Sequence, residues 1–402
     1  MRAYERLLRY AAIDTQSDEN GEGTPSTEKQ FALAELLRGE MEAMGLSRVF
    51  LDGNAYTYGY LPPTPGREEE PVIGLIAHID TAPDFSGAGV RPLLHENYDG
   101  GALPLGESGL VLSPEQFPDL RDCVGQTLIT TDGTSLLGAD DKAGVAEILT
   151  ACERLLAEGL PHGGVALCFP PDEEIGHGAA LLELERLGAA FAYTVDGDAV
   201  NEINFETFNA AAAHFEIRGV NVHPGSAKGV MVNAALLAAE LAAMLPPEET
   251  PARTEGYEGF YHLTELRGGV GAAELKYILR DHDAARFAAR CARMRELERA
   301  MNGRYGAGTV TLTLTEQYRN MAEVLRERPE IVRRAQTAIE KAGLEPVIRP
   351  IRGGTDGSQL SFRGLPCPNL GTGGAAFHGP YEHITAENMD KAVEILLNLL
   401  SP

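Results

Sequence analysis

The sequence predicts an α/β fold with a mixed, mainly parallel sheet that carries helices on both faces, plus a smaller α+β domain inserted into it. Short continuous apolar runs at residues 72–77, 164–169 and 190–195 are typical of strands buried on both faces of a sheet. A helical pattern over 142–158, which ends at Gly159, lies between the first two runs. Strands that alternate with helices in this way favour parallel pairing.

That helical pattern predicts one buried stripe. Its members are Ile148, Leu149, Cys152, Leu155 and Leu156. After the inserted domain the chain is expected to return to the first domain. There the pattern predicts a helix over 329–342, a strand over 366–370 and a final helix from Ala386.

The middle of the chain has a different order of elements. The predicted elements are a strand at 209–218, a helix at 231–245, strands at 260–267 and 272–280, a helix at 283–301 and a strand at 309–315. The order β-α-β-β-α-β is that of the ferredoxin-like unit. We therefore expect residues 1–207 and 319–402 to form the first domain and residues 208–318 to form the inserted domain.

Composition limits the partners that the protein can have. The chain of 402 residues carries a formal net charge of −25, which disfavours binding to nucleic acid and to anionic membrane surfaces. No apolar run is long enough to span a membrane, and residues 1–16 are too polar for a signal peptide. The five cysteines form no CxxC pair, so free thiols in a reducing compartment are expected. These observations predict a cytoplasmic protein without nucleic-acid or membrane partners.

Acidic residues and histidines follow the predicted strands. His78 and Asp80 follow the first strand, Glu173 and Glu174 the second, and Asp196 the third. Sites of open α/β sheets lie beyond the carboxyl ends of their strands, so these side chains are expected to converge. Further candidates for the same site are Asp140, Asp141 and a late histidine, His378 or His383. A set rich in oxygen ligands, with imidazoles and no thiolate, suits Zn²⁺, Mn²⁺ or Co²⁺ in a hydrolytic site.

Each of these residues also has an ordinary structural interpretation. Asp140-Asp141 alone is as often a helix cap as a ligand pair, and Glu173-Glu174 alone is more often a solvated turn. A lone His378 would usually be a loop histidine. The metal hypothesis depends on all of them meeting at one edge of one sheet.

Several strings resemble the peptidase T family of di-zinc tripeptide aminopeptidases, which is related to acetylornithine deacetylase and carboxypeptidase G. The strings are HIDTAPDFSG (78–87), TTDGTSLLGADDKAG (130–144), PDEEIG (171–176), YTVDG (193–197), NVHPGSAKG (221–229), RDHD (280–283) and RGGTDG (352–357). The resemblance runs from the first helix to the last. It implies a fold of the zinc-peptidase type and hydrolysis of the N-terminal residue of tripeptides.

The resemblance also implies roles for single residues. Asp140 would bridge two zinc ions per subunit, for which Co²⁺ or Mn²⁺ are possible substitutes, and its bond to Asp141 would be cis as in relatives. The implied terminal ligands are His78 and Asp196 for one ion, and Glu174 and His378 for the other, with His383 as the alternative late ligand. Glu173 would be the general base, and Asp80 would fix the tautomer of His78.

Substrate recognition is implied for four further residues. Arg280 and Arg352 would grip the C-terminal carboxylate of the peptide, because a guanidinium suits bidentate binding of a carboxylate. His223 would reach the active site of a partner subunit, so the resemblance implies a homodimer formed through the inserted domain. Asn320 is a weaker candidate for a substrate contact. A related dipeptidase, carboxypeptidase or N-acyl amino acid deacylase, and a catalytically silent binding protein, stay open as alternatives.

Overall fold

The computed structural model describes residues 1–401, which divide into two compact units. The large unit comprises Met1–Phe205, Glu323–Arg349 and the chain from Thr355 onward. The small unit comprises Glu206–Ala322 and the short segment Pro350–Gly354. This division differs from the predicted boundaries at both Asn320 and Arg352, which lie in the small unit.

The strands are numbered in chain order. They are β1 (Ser47–Leu51), β2 (Thr57–Leu61), β3 (Ile73–Ile76), β4 (Leu93–His95), β5 (Leu103–Pro104), β6 (Val111–Leu112), β7 (Leu128–Thr130), β8 (Val165–Phe169), β9 (Phe191–Gly197), β10 (Glu202–Asn204), β11 (Asn209–Arg218), β12 (Phe260–Gly268), β13 (Ala272–Asp281), β14 (Val310–Tyr318), β15 (Val347–Ile348), β16 (Asn369–Gly371), β17 (Gly374–Ala375) and β18 (His383–Thr385).

The α-helices are numbered in the same way. They are α1 (Ala3–Ala11), α2 (Phe31–Ala43), α3 (Ala139–Glu158), α4 (Leu184–Leu187), α5 (Ala234–Ala243), α6 (Ala284–Tyr305), α7 (Ala322–Leu325), α8 (Pro329–Lys341), α9 (Asp356–Phe362) and α10 (Ala386–Leu400). None of the helices over residues 1–401 combines the length and the apolar character that crossing a bilayer requires.

The large unit is built on a mixed sheet with the strand order β1-β2-β8-β3-β9-β16-β10-β15. Its centre, β8-β3-β9-β16, is parallel throughout. These central strands are buried because apolar residues fill both of their faces, which explains their continuous apolar runs. Helices α3 and α10 pack together along with α1, and α9 and α4 cover part of β9 and β8. The predicted α/β class is confirmed.

A smaller sheet with the order β17-β18-β7-β4 completes the large unit. Together with the hairpin β5-β6 it surrounds a satellite core to which Leu105, Leu112, Leu120 and Leu128 contribute. The sequence predicts none of these strands, because each has only two or three residues and shows no periodic pattern.

The small unit has the predicted order of elements, β11-α5-β12-β13-α6-β14. Its four strands form an antiparallel sheet in the order β12-β13-β11-β14, which is the ferredoxin-like arrangement. Helices α5 and α6 cover one face of this sheet and bury Phe215, Leu241, Leu275 and Met294 against it.

Candidate metal centre and substrate-binding residues

The sheet of the large unit brings the predicted ligands to one edge. His78 follows β3, Glu174 follows β8, and Asp196 lies near the end of β9. These three strands are parallel neighbours, so their carboxyl ends point the same way. Asp140 joins them from the start of α3, and His378 from the turn between β17 and β18.

Asp140 lies at the centre of this group and uses both carboxylate oxygens. Its Oδ1 is 3.1 Å from Nε2 of His78, and its Oδ2 is 3.2 Å from Nε2 of His378. A second carboxylate flanks each histidine: Asp196 Oδ1 lies 3.4 Å from His78 Nε2, and Glu174 Oε2 lies 3.0 Å from His378 Nε2. The arrangement therefore has two halves, each with one imidazole and one carboxylate, which share Asp140.

Asp80 orients two parts of the site at once. Its Oδ1 and its main-chain oxygen each lie 3.2 Å from Nδ1 of His78, so Nδ1 donates and, in the neutral ring that a metal ion requires, Nε2 carries the lone pair. The same carboxylate accepts the backbone N–H groups of Glu173 (3.0 Å) and Glu174 (3.2 Å). Asp80 thus fixes the Glu173-Glu174 turn as well as the ring of His78.

Asp141 supports the site through hydrogen bonds to backbone N–H groups. Its Oδ2 accepts the backbone N–H of His78 at 3.1 Å, and its Oδ1 accepts that of Gly144 at 3.2 Å. The peptide bond between Asp140 and Asp141 is cis, as the resemblance implies. Asp140 and Asp141 depart from helical backbone angles, so the regular helix begins after them, at the predicted residue Lys142.

The electrostatics of the group show an excess of negative charge. Burial raises the pKa of Glu174 to about 7, and the neighbouring Asp140 adds to the effect. Burial likewise raises the pKa of Asp196 to about 6, in spite of the favourable charge of His78. Hydrogen bonds to Asp140 and Glu174 raise the pKa of His378 to about 11. A region that resists ionised carboxylates and holds protons on imidazole is one where cations are strongly stabilised.

The residues present fit a pair of divalent cations. Oε1 of Glu174 is buried and has no hydrogen-bond partner, so a cation would satisfy an otherwise unpaired acceptor. Ligand atoms of His78, Asp140 and Glu174 lie within 4.8 Å of one another, so the two halves that share Asp140 are close together. Oxygen-rich sets with one imidazole suit hydrolytic Zn²⁺, Mn²⁺ or Co²⁺.

The two late histidines have different surroundings. His378 faces Asp140 and Glu174, and its backbone has a left-handed φ of 64°, which is uncommon outside glycine. His383 is buried, and its Nε2 lies 2.6 Å from Oδ2 of Asp119 while its Nδ1 lies 2.8 Å from the carbonyl oxygen of Tyr381. Both nitrogens of His383 are therefore engaged away from Asp140. The geometry favours His378 as the late ligand.

The two predicted arginines lie in the small unit, where each guanidinium already donates hydrogen bonds to backbone carbonyls. Nη1 of Arg280 donates to the carbonyls of Leu279 (3.0 Å) and Ala211 (3.5 Å), and the group lies over the ring of Tyr318. Arg352 uses Nη1 to reach two carbonyl oxygens and Nη2 to reach the hydroxyl of Thr254. Each arginine therefore keeps only some of its five donors for a ligand.

His223 and Asn320, also in the small unit, contrast with each other. His223 is exposed and its Nδ1 accepts the backbone N–H of Gly225 at 3.1 Å, so a neutral ring carries its proton on Nε2, ready to donate. Asn320 is buried, and its side chain bonds to the backbone of Thr207, Ala322 and His282. Its amide is committed to holding three chain segments together.

Comparison with known proteins identifies the family of the chain. The sequence matches Peptidase family M20/M25/M40 over residues 136–401. It is 52% identical to peptidase T of Desulfitobacterium hafniense over 398 residues, which are 98% of this chain and 97% of that one. It is 50% identical to peptidase T of Bacillus licheniformis over 398 residues, with the same coverage of 98% and 97%. The chain belongs to the peptidase T group of family M20/M25/M40.

Solved structures agree on the fold of this M20/M25/M40 member. Aminopeptidase PepT of Bacillus cereus matches with a TM-score of 0.78 at 23% identity, covering 100% of this chain and 97% of that one. A dinuclear metal-binding peptidase of family M20 from Bacillus subtilis matches with a TM-score of 0.65 at 15% identity, covering 99% and 97%. The chain is a peptide hydrolase, as predicted.

One carboxylate at this candidate site was not identified from the sequence. Glu382 is buried and accepts backbone N–H groups of Leu137, Gly138 and Asp140. Its only sequence signal is its place between Tyr381 and His383, four positions after His378, and nothing in residue type or spacing distinguishes it from a surface glutamate.

Proposed function

We propose that the protein is a di-metal aminopeptidase that releases the N-terminal residue of tripeptides, with two Zn²⁺ ions per subunit that Co²⁺ or Mn²⁺ can replace. The observation that carries this proposal is Asp140, whose two oxygens face two histidines that are each paired with a further carboxylate. His78 and Asp196 would hold one ion, and Glu174 and His378 the other. Bound there, the two ions would supply Lewis-acid polarisation of a water molecule and of the scissile carbonyl.

Glu173 is the proposed general base. It is adjacent to the proposed ligand Glu174, and both backbone amides are held by Asp80. Burial and the nearby charge of Asp196 raise the pKa of Glu173. A carboxylate with raised pKa beside cations can take a proton from water and give it to the leaving amine. Glu173 has no ligand role in this assignment, so its lone pairs stay free for proton transfer.

Recognition of the peptide is assigned to the small unit. Arg280 and Arg352 would bind the C-terminal carboxylate through the donors that the carbonyls leave free. His223 would donate from Nε2 to the developing oxyanion in the active site of a partner subunit, which makes the protein a homodimer through the small unit. Asn320 would act on substrate indirectly, by holding the backbone near His282.

The choice of tripeptides rests on relatives. Those that are about half identical over nearly the whole chain are named peptidase T. A protein of Staphylococcus aureus that matches with a TM-score of 0.80 at 22% identity is named a tripeptidase. We place the protein in the cytoplasm, in keeping with its five buried free cysteines.

A panel of four substrates tests the proposal: one tripeptide, its N-acetylated form, its C-terminal amide and the dipeptide that lacks its last residue. We expect rapid release of the first residue from the free tripeptide alone. The Glu173→Gln variant should lose roughly 10²–10⁴-fold in kcat while it keeps its bound metal. Preferred cleavage of the acetylated peptide would overturn the aminopeptidase assignment and favour a deacylase.

A further inference from the structure

Glu382 forms a clamp on the backbone that precedes and includes the shared aspartate. Its Oε2 accepts the N–H groups of Leu137 (2.6 Å) and Gly138 (2.8 Å), and its Oε1 accepts that of Asp140 (3.0 Å). The side chain is almost fully buried, with 1% of the residue exposed. Each of these buried N–H groups would be left without a partner if the carboxyl group moved away, so this stretch of backbone is held firmly.

The clamp acts on the backbone segment that determines the position of Asp140. Gly138 has a left-handed φ of 75°, and Asp140 departs from helical angles, so no regular helix orients this segment. Asp140 must nevertheless present its two oxygens to two different histidines at 3.1 and 3.2 Å. A small rotation of its backbone would shorten one of these approaches and lengthen the other.

The loop that carries Glu382 also carries His378. Two contacts fix the same loop: the ring of Tyr381 packs 5.0 Å from that of Phe117, and His383 contacts Asp119 at 2.6 Å. Glu382 lies between these anchors and reaches from the loop to the backbone of Asp140. One side chain thus connects the segment that presents His378 to the segment that presents the shared carboxylate.

We propose that Glu382 is a positioning residue that holds Asp140 and His378 in register, and that it sets the affinity of the half of the site formed by Asp140, Glu174 and His378. This inference rests on the proposed di-metal function. Loss of a residue that orients a metal ligand by hydrogen bonding typically lowers metal affinity about 10–100-fold, and we expect an effect of this size.

The Glu382→Gln variant tests the clamp at a single bond. A glutamine keeps one acceptor oxygen, which can still serve Leu137 and Gly138, but its amide N–H₂ then faces the N–H of Asp140, donor against donor. The matched control is Glu387→Gln. Glu387 also accepts a backbone N–H, that of Thr127 at 2.8 Å, but lies on the exposed first turn of α10.

The measurement is binding of metal to the apoprotein. Co²⁺ is added stepwise and followed by its d–d absorption, and Zn²⁺ affinities are obtained by competition with a chromophoric chelator. We expect one of two equivalents to bind roughly 10–100-fold more weakly in Glu382→Gln, the other to change less, and both to be unchanged in Glu387→Gln. The aspartate of Glu382→Asp is too short to reach all three amides, so the metal affinity of this variant should lie between those of wild type and Glu382→Gln. If Glu382→Gln does not fold, the metal affinity of Glu382→Asp tests the inference.

The outcomes separate this inference from the proposed function. Wild-type affinity for both equivalents in Glu382→Gln and Glu382→Asp, with only a lower Tm, would show that Glu382 is merely a structural cap and would overturn the inference. If the wild-type protein binds two equivalents but cleaves none of the four test peptides, the proposed function fails while the metal-binding result for Glu382 still stands.

Discussion

Replacement of Asp80 by asparagine should damage catalysis through the geometry of the Glu173-Glu174 turn. Asp80 accepts two backbone N–H groups with two different oxygens, at 3.0 and 3.2 Å. An asparagine has one acceptor oxygen, so one of those buried N–H groups loses its partner and faces an N–H₂ instead. A hydrogen bond to a charged group contributes about 1.5–3 kcal/mol, which corresponds to roughly 10- to 150-fold in rate if the whole loss falls on the position of Glu173.

The assay is kcat for a tripeptide at a metal concentration that saturates the variant, because weaker metal binding would otherwise contribute to the loss. The matched control is Asp99→Asn, which changes a carboxylate that accepts the backbone N–H of Gly101 in an exposed loop. We expect roughly 10- to 150-fold lower kcat in Asp80→Asn and no change in Asp99→Asn. A kcat within a factor of about three of wild type, at full metal occupancy, would refute the reasoning.

Three further predictions follow from the surroundings of single side chains. His378→Ala should bind one metal equivalent fewer than wild type, as metal analysis would show. His383→Ala should keep both equivalents but lose about 2 kcal/mol of unfolding free energy, measured by urea denaturation. Arg280→Met should reduce the preference for a free C-terminal carboxylate over its amide by roughly 10-fold or more in kcat/KM; an unchanged preference would remove Arg280 from the carboxylate site. The hydrogen bond from His383 lowers the pKa of Asp119 in the folded protein. The ionised carboxylate therefore stabilises the fold at any pH above the pKa that Asp119 has in the unfolded chain. This contribution disappears as the pH falls through the lower pKa of the folded protein. Asp119→Asn should therefore lose less stability than wild type between about pH 5 and pH 2, measured by urea denaturation at each pH.

The elements with strong patterns could be predicted from the sequence. The bounds of β11 agree with the prediction at both ends, and α3 ends before Gly159, which has a left-handed φ of 63°. The prediction that Leu156 belongs to the buried stripe of α3 is wrong, because Leu156 is 43% exposed. It lies at the margin of the stripe near the end of the helix, where periodicity alone does not show how far the packed face extends.

The residues of the candidate site likewise differ in how far the sequence alone could predict their positions. Residues that follow buried strands, such as His78 and Asp196, could be placed together because strand order and parallel pairing put them at one edge. The role of Glu382 could not be predicted, because it depends on which backbone amides happen to lack partners in the folded chain. Arg352 illustrates the same limit: residue type gives five donors, but only the fold shows that carbonyls near Gly256 occupy some of them.

The position of the late loop in the chain has a consequence for biosynthesis. His78, Asp140, Glu173 and Asp196 all leave the ribosome before the small unit, and His378 and Glu382 leave it only after that unit. A chain that ends before the late loop can therefore contain β3, β8, β9 and Glu173 but lacks β16 and the half of the proposed site that needs His378. If His378 is a metal ligand, as proposed, hydrolytic activity is expected only after residue 378 has been synthesised and its loop has folded.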